Sequence, residues 1–390
     1  MTNLQKNLNQ ECGKNEGHSS TIEQDKPQDD FTNAVELINK KRPFIPEHEK
    51  FTYYDKVGES IYNLLTDINF EIVSLHDEVQ NNVFTDIDYY SIVGLLPIWL
   101  RDAGNSQESS MSRSFFEKIV GANNSYLINK CLYYYDCEML VDALQNRFNI
   151  VEVMLTQLFT ILTPSKKFNI KDYDEVIYTI DDSSQRVQAY INSIIINLAS
   201  SCDIMTKIAI ELLSMSKVQY NTYPKMTSTN ITYGNIGRLP AELRRDGTYF
   251  AAIRPIAIMM VESIRDEIVH NGSLDFHSTV YYGTKGENVE TWLLMPAFNE
   301  NGTLTSYHGR KKFYEDPERT VNKELPLLVK EFLTIALATI QMIGRHFRKP
   351  YYSNSEDLKK YHDVIIKLTD TYRMIASKEL NKDATVNKNI

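Results

Sequence analysis

One stripe of apolar residues constrains the fold of this chain more than any other sequence feature. Between residues 187 and 212, apolar side chains recur at spacings of three and four, the period of one helix face, and they predict a helix over 184–216. Similar stripes run over 61–75, 253–268 and 328–343. Glycine and proline are scarce, at 15 and 12 of 390 residues, which favours long helices over a turn-rich β fold. The sequence therefore predicts an all-α fold, mainly a helical bundle.

Composition limits the classes of function that the chain can serve. Its formal net charge of -9 gives no general attraction to nucleic acid, so RNA binding would need a local basic patch. The four cysteines are scattered, and we interpret them as reduced thiols. The N-terminus has no apolar run, and the most apolar helix, around 332–343, is shorter than the ~20 residues of a membrane span. These features favour a cytoplasmic protein that does not cross a membrane.

Changes in composition along the chain predict four regions. They are a disordered polar tail (1–35), an N-terminal helical region (36–170), a second helical domain (171–350), and a C-terminal helix with its tail (351–390). The N-terminal region is predicted to contain one long helical stretch from 113 to 162. In the second domain, strand-like runs at 278–282 and 290–294 flank a Gly-x-x-Gly segment. This pattern predicts a small β-hairpin insertion, within about 276–308, that follows the helix ending near residue 271.

The segment over 262–272 gathers more chemically useful side chains than any other stretch. Its pattern predicts the C-terminal end of a helix, closed by an Asn-Gly pair. Asp266 and His270 are four residues apart and share a helix face, so the carboxylate can orient the imidazole and favour its charged form. Arg265 projects from the neighbouring face, where a guanidinium can bind phosphate or stabilise charge in a transition state. An ordinary solvated helix end is the alternative that the residues alone leave open.

Side chains of these types can catalyse the cleavage of RNA without a metal ion. A base takes the proton of the 2′-hydroxyl, an acid protonates the leaving oxygen, and a cation stabilises the phosphorane. One helix end supplies too few groups for all three roles. Two copies brought together by symmetric dimerisation would supply enough.

Basic and aromatic clusters elsewhere offer further contacts for RNA. The candidate phosphate-binding residues are Arg310, Lys311, Lys312, Arg345 and Arg348, and solvated loops and helix ends are their alternative interpretation. Tyr133–Tyr135 could stack on bases, although such a cluster is more often part of a core or interface. No glycine loop of the phosphate-binding type precedes a helix, and no zinc-ligand spacing is present, so we expect neither a cofactor nor a metal.

The segment from Arg265 to His270 resembles the signature of the HEPN domain family. That signature is an arginine, usually followed by a polar residue, and a histidine four to six residues after the arginine. The resemblance covers about residues 180–350, because a long helix precedes the motif helix and another long helix follows the β insertion. It implies a helical bundle that forms a homodimer and joins two motifs in one cleft. A Gly272 stands where some members carry a modifiable tyrosine, so that form of regulation is not expected.

The resemblance also implies an activity and residue roles. By carry-over, Arg265 and His270 would be catalytic, with Asp266 and Asn271 supporting, in a metal-independent endoribonuclease. Members of the family usually act as toxins or in antiphage defence, so RNA is the expected substrate and a regulatory protein a possible partner. The alternative is a non-catalytic HEPN-type module that serves dimerisation, RNA binding or protein binding.

Overall fold

The computed structural model describes most of the chain from residue 56 onward. The described ranges are 45–47, 50–52, 56–162, 177–180, 182–243, 255–285, 288–354 and 357–386, without residues 108, 242 and 317. The predicted tail over 1–35 lies outside these residues.

Helices dominate the described chain. They are α1 (Lys56–Val83), α2 (Tyr89–Val93), α3 (Trp99–Asp102), α4 (Arg113–Ala122), α5 (Tyr126–Ile161), α6 (Asp182–Ser214), α7 (Ile256–Asn271), α8 (Val321–Phe347) and α9 (Asp357–Val386). The strands are β1 (Ile45–Glu47), β2 (Lys50–Thr52), β3 (Ile177–Thr179), β4 (Val280–Lys285), β5 (Asn288–Trp292), β6 (Ser306–Tyr307) and β7 (Lys311–Lys312). The predicted mainly helical fold, with a β-hairpin after the motif helix, is confirmed.

Four long helices close into a bundle because each carries an apolar stripe that needs a partner. Helix α1 packs against α5 and α8, α5 packs along α6, and α6 also contacts α8. Their stripes meet in one continuous core, in which each fully buried Leu or Ile contributes roughly 1.5–3 kcal/mol. The predicted boundary between 36–170 and 171–350 therefore separates helices that share a core. Helix α7 packs against α6 and α8.

The stretch predicted as one helical region over 113–162 contains two helices. Helix α4 ends at Asn123, and α5 begins after Ser125, whose hydroxyl accepts a hydrogen bond from the amide of Ile128. A serine that caps a helix in this way stabilises the start of a new helix, so α5 begins separately from α4. Tyr133, Tyr134 and Tyr135 follow in α5 and are all buried, so they belong to the core rather than to an exposed stacking platform.

The β-hairpin after α7 forms a three-stranded antiparallel sheet with a strand that precedes α6. The order is β3-β4-β5, with Tyr178 opposite Tyr281 and Tyr281 opposite Trp292. Strand β3 was not predicted, although Ile177–Thr179 is a short aromatic and β-branched run of the kind that favours strands. The sheet ties the beginning of α6 to the chain that leaves α7. The short pair β6–β7 follows, with Tyr307 opposite Lys311.

Among the described residues, two helical segments are long and apolar enough to cross a membrane when judged by length and composition. They span Asp182–Lys217 and Val321–Phe347, and 72% and 56% of their most apolar windows are buried against the rest of the chain. The second is longer than the apolar stretch predicted from the sequence. Core helices of globular proteins meet the same criterion.

Candidate functional site

Helix α7 delivers the motif side chains to the surface. Ala257, Val261 and Ile264 lie on its buried face, and α7 packs against α6 and α8. His270 is exposed on the last turn. The helix ends at Gly272, which adopts the left-handed conformation with φ of 95° and donates its amide to the carbonyl of Ile268. A glycine at this position lets the chain turn away directly after the histidine.

Arg265 and Asp266 form an ion pair with each other. The guanidinium Nη1 lies 2.9 Å from Oδ1 of Asp266, and both side chains are partly exposed. In the described part of the chain, the structure records no hydrogen bond between Asp266 and His270, although the two share a helix face. The charged guanidinium beside Asp266 is the stronger partner for the carboxylate. The geometry therefore assigns Asp266 to holding Arg265 and leaves the imidazole of His270 directed to solvent.

A buried ion pair lies beneath the motif. Glu267 and Lys312 pair across the space between α7 and β7, and their side chains are only 9% and 5% exposed. Lys312 also donates to the carbonyl of Ser273 at 3.0 Å, and the Asn271 amide donates to Glu267 at 2.8 Å. Because Lys312 is buried and committed to these partners, it is not available to contact RNA. Its role is to fasten β7 to the end of α7.

A pocket of about 210 Å³ opens beside His270. It is lined by Glu267, His270, Asn271, Phe276 and Arg310, and we call it the motif pocket. Arg310 reaches it from the turn between β6 and β7, and Phe276 is a 65% exposed aromatic ring at its rim. The fold thus brings together an imidazole, a guanidinium and an exposed aromatic ring, which are groups that can bind a proton, a phosphate and a base.

The remaining predicted basic residues lie elsewhere. Lys311 is exposed on β7 but does not line the motif pocket. Arg345 and Arg348 lie at the C-terminal end of α8, where Arg348 Nε is 3.3 Å from a carboxylate oxygen of Glu78 in α1. Arg345 bonds the carbonyl of Gln341 in its own helix. Neither arginine lines the motif pocket.

Sequence reasoning named His270, Asn271 and Arg310 but missed their neighbours. Phe276 was not singled out, because a lone phenylalanine after a helix gives no signal of exposure. The Glu267–Lys312 pair was missed because 45 residues separate its members. In the described residues, no group of three or more His, Cys, Asp or Glu side chains is arranged to hold a metal ion.

Comparison of the chain with protein-family models, with curated proteins and with solved structures gives no match.

Proposed function

We propose that this chain is a metal-independent endoribonuclease of the HEPN type that acts as a homodimer. In this proposal His270 and Arg265 are catalytic, and Asp266 and Asn271 support them. RNA is the substrate, Arg310 contacts its phosphates, and the biological role is that of a toxin or an antiphage effector. The observation that carries the proposal is that the exposed His270 and Arg310 line the same pocket at the end of α7.

The proposed reaction is an internal transesterification. An imidazole takes the proton of a 2′-hydroxyl, the 2′-oxygen forms a bond to phosphorus, and the bond from phosphorus to the 5′-oxygen breaks. A second imidazole gives its proton to the leaving 5′-oxygen. The products are a 2′,3′-cyclic phosphate and a 5′-hydroxyl. A guanidinium bound to the non-bridging oxygens stabilises the charge that develops on the phosphorane.

The second imidazole and a further guanidinium would come from a second copy of the chain. A two-fold axis next to the last turn of α7 brings the same surface patch together twice. Val269 and Phe276 are both more than half exposed next to His270, and such apolar side chains are typical of a patch that becomes covered. In the proposed dimer, Arg265 of one copy then faces the pocket of its partner.

The enzyme proposal is tested with RNA, the full chain and excess EDTA. Wild type is expected to cut, and His270→Ala and Arg265→Ala are expected to lose at least about 100-fold in rate, the usual range for a missing acid–base group. His362→Ala, which removes an exposed imidazole from α9, is the matched control and should cut at the wild-type rate. Mass spectrometry of the products should find the 2′,3′-cyclic phosphate. Intact RNA under every condition, with normal growth on overexpression, would contradict the proposal.

One observation favours a second candidate, a non-catalytic HEPN-type module for dimerisation or for RNA or protein binding. In the single chain, the Arg265 guanidinium is held by Asp266 and does not line the motif pocket. The same assay separates the two: this candidate predicts that the chain binds RNA or a partner and leaves the RNA intact.

A further inference from the structure

A second pocket of about 210 Å³ lies on the other side of the loop that follows α7. It is bounded by the first turns of α6, by β4 and by the segment after β7, and we call it the side pocket. The loop residue Phe276 lines the motif pocket, whereas its neighbours Asp275 and His277 line the side pocket. The two pockets therefore lie on either side of a single short loop.

The walls of the side pocket suit a flat ring. Ile191 and Leu293 are buried in its floor, and Tyr281 and Tyr314 contribute aromatic rings. Its volume is below the 300–1,000 Å³ typical of pockets for drug-sized ligands, so a single small ring system fits better than a larger molecule. Every nucleobase has a π-face that stacks on aromatic side chains.

Three of the polar side chains that line the side pocket offer acceptor oxygens to a ligand: Gln188, Asp275 and Tyr314. The Gln188 amide nitrogen donates to Asn192 at 2.8 Å, which leaves the Gln188 carbonyl oxygen for a ligand. Tyr314 donates its hydroxyl proton to the carbonyl of Leu274 at 3.0 Å, and burial raises the pKa of Tyr314 above its ordinary value, so the proton stays there. The Asp275 carboxylate accepts two loop amides and retains further lone pairs.

We infer that the side pocket binds a guanine base of the RNA whose phosphate occupies the motif pocket. Guanine presents the N1–H and the N2 amino group on one edge, and the Gln188 carbonyl oxygen and the Asp275 carboxylate can accept from these two donors. Uracil presents one ring N–H between two carbonyl groups, and those carbonyls would face acceptors. The inference rests on the proposed function, because it names the nucleotide that the same site selects.

The first test is the binding of single nucleotides to the full-length wild type, measured by calorimetry. GMP is expected to bind at least about tenfold more tightly than UMP, because guanine makes one more hydrogen bond and brings no carbonyl group against the acceptors. This comparison needs no variant and does not depend on cleavage. Equal binding of GMP and UMP, or no binding of either, overturns the inference.

The second test removes the Gln188 carbonyl. Gln188→Leu is expected to weaken GMP binding about tenfold and to leave UMP binding unchanged. Gln185→Leu, the same substitution at an exposed position three residues earlier in α6, is the matched control and should bind GMP as wild type does. Circular dichroism establishes that each variant is folded. Unchanged GMP binding in folded Gln188→Leu overturns the inference.

Cleavage assays keep this inference distinct from the proposed nuclease. RNA cut by wild type with no preference for any base, together with no GMP binding, overturns the guanine pocket and leaves the nuclease standing. Selective GMP binding by a wild-type chain that cuts no RNA overturns the nuclease and supports the pocket. RNA cut next to guanine, with the preference lost about tenfold in Gln188→Leu, supports both.

Discussion

Glu211 and Glu267 are both buried, but they lie in different surroundings. Glu211 lies in the core, whereas Glu267 borders the motif pocket. Glu211 in α6 is 1% exposed and accepts hydrogen bonds from the Tyr133 hydroxyl at 2.5 Å and from the Ser228 amide at 2.9 Å. Thr227 adds two more, from its amide and its hydroxyl. In the described part of the chain, Glu211 is in no recorded ion pair. The network joins α5, α6 and the loop after α6, and the recorded donors to Glu211 are all neutral.

Glu267 in α7 is buried almost as well but has different surroundings. Its partners are the ammonium of Lys312 and the amide of Asn271, and one side of the group lines the motif pocket. A carboxylate surrounded by neutral donors fixes a loop. A carboxylate that is paired with a cation and borders a pocket fixes a loop and also holds side chains that line that pocket. This difference separates the structural polar core from the candidate site.

The largest expected effect on stability comes from removing the Lys312 ammonium, which pairs with Glu267. Lys312→Met leaves the Glu267 charge buried without its partner, so we expect a loss of about 3–5 kcal/mol in the free energy of unfolding. The double variant Glu267→Met/Lys312→Met removes both charges and should recover most of that loss, because an apolar pair of similar volume replaces a buried ion pair at little net cost. Urea denaturation measures both.

Recovery of stability should not bring recovery of function. In the double variant Asn271 has lost its acceptor at the rim of the motif pocket, so RNA cleavage should stay below that of wild type by about tenfold or more. If the double variant cuts as wild type does, the Glu267 network has only a structural role, like that of Glu211.

A smaller loss of stability is expected when the hydrogen bonds of Glu211 are removed. Glu211→Leu leaves the buried Tyr133 hydroxyl and the backbone amides of Thr227 and Ser228 without their acceptor, which should cost about 3 kcal/mol. No single apolar substitution can rescue it, since two of the orphaned donors are backbone groups. Glu117→Leu on the exposed side of α4 is the control and should change stability by less than about 0.5 kcal/mol. A rescue of Glu211→Leu by Tyr133→Phe to wild-type stability would contradict this view.

Two glycines extend the comparison to the backbone. Gly302 and Gly272 both have positive φ, but a Cβ at Gly302 would lie 2.9 Å from the carbonyl oxygen of Ile256, whereas one at Gly272 would meet nothing within 4 Å. Gly302→Ala therefore adds a clash with the start of α7 to the backbone strain and should cost about 2–3 kcal/mol. Gly272→Ala carries the strain alone and should cost about 1 kcal/mol. Thermal unfolding of the two variants compares these costs, and equal shifts would show that the close approach is relieved by movement of the loop.

The fold could be predicted because its determinants are local. The apolar stripe of α6 lies in one stretch of sequence, and its observed range, Asp182–Ser214, is close to the predicted 184–216. Helix α8 begins at Val321, ahead of the predicted stripe. The sequence did not indicate this first turn, because the turn precedes Pro326 and carries fewer apolar residues. The break before Ser125 was missed because apolar residues continue on both sides of it.

The candidate site could be predicted only where its residues are neighbours in sequence. Arg265 and His270 were found from their spacing in one helix. The pairing of Asp266 with Arg265 rather than with His270 depends on side-chain directions that spacing does not specify. Lys312 looked like one of three equivalent cations, but the alternation of β7 and the turn before it bury Lys312 and leave Arg310 at the pocket. Tertiary contact decided which basic residue is structural and which is exposed.

The smallest expected effect on stability is at Arg310, which lines the motif pocket together with Glu267. Arg310→Ala removes an exposed side chain, so the free energy of unfolding should change by less than about 0.5 kcal/mol. If Arg310 contacts a phosphate of single-stranded RNA, the slope of the logarithm of the binding constant against the logarithm of salt concentration should fall by about 0.7. Arg113→Ala is the matched control, because it removes the same charge from a 91% exposed side chain on α4. An equal change of slope in both variants would assign the effect to net charge, whereas a change confined to Arg310 assigns it to a phosphate bound at the motif pocket.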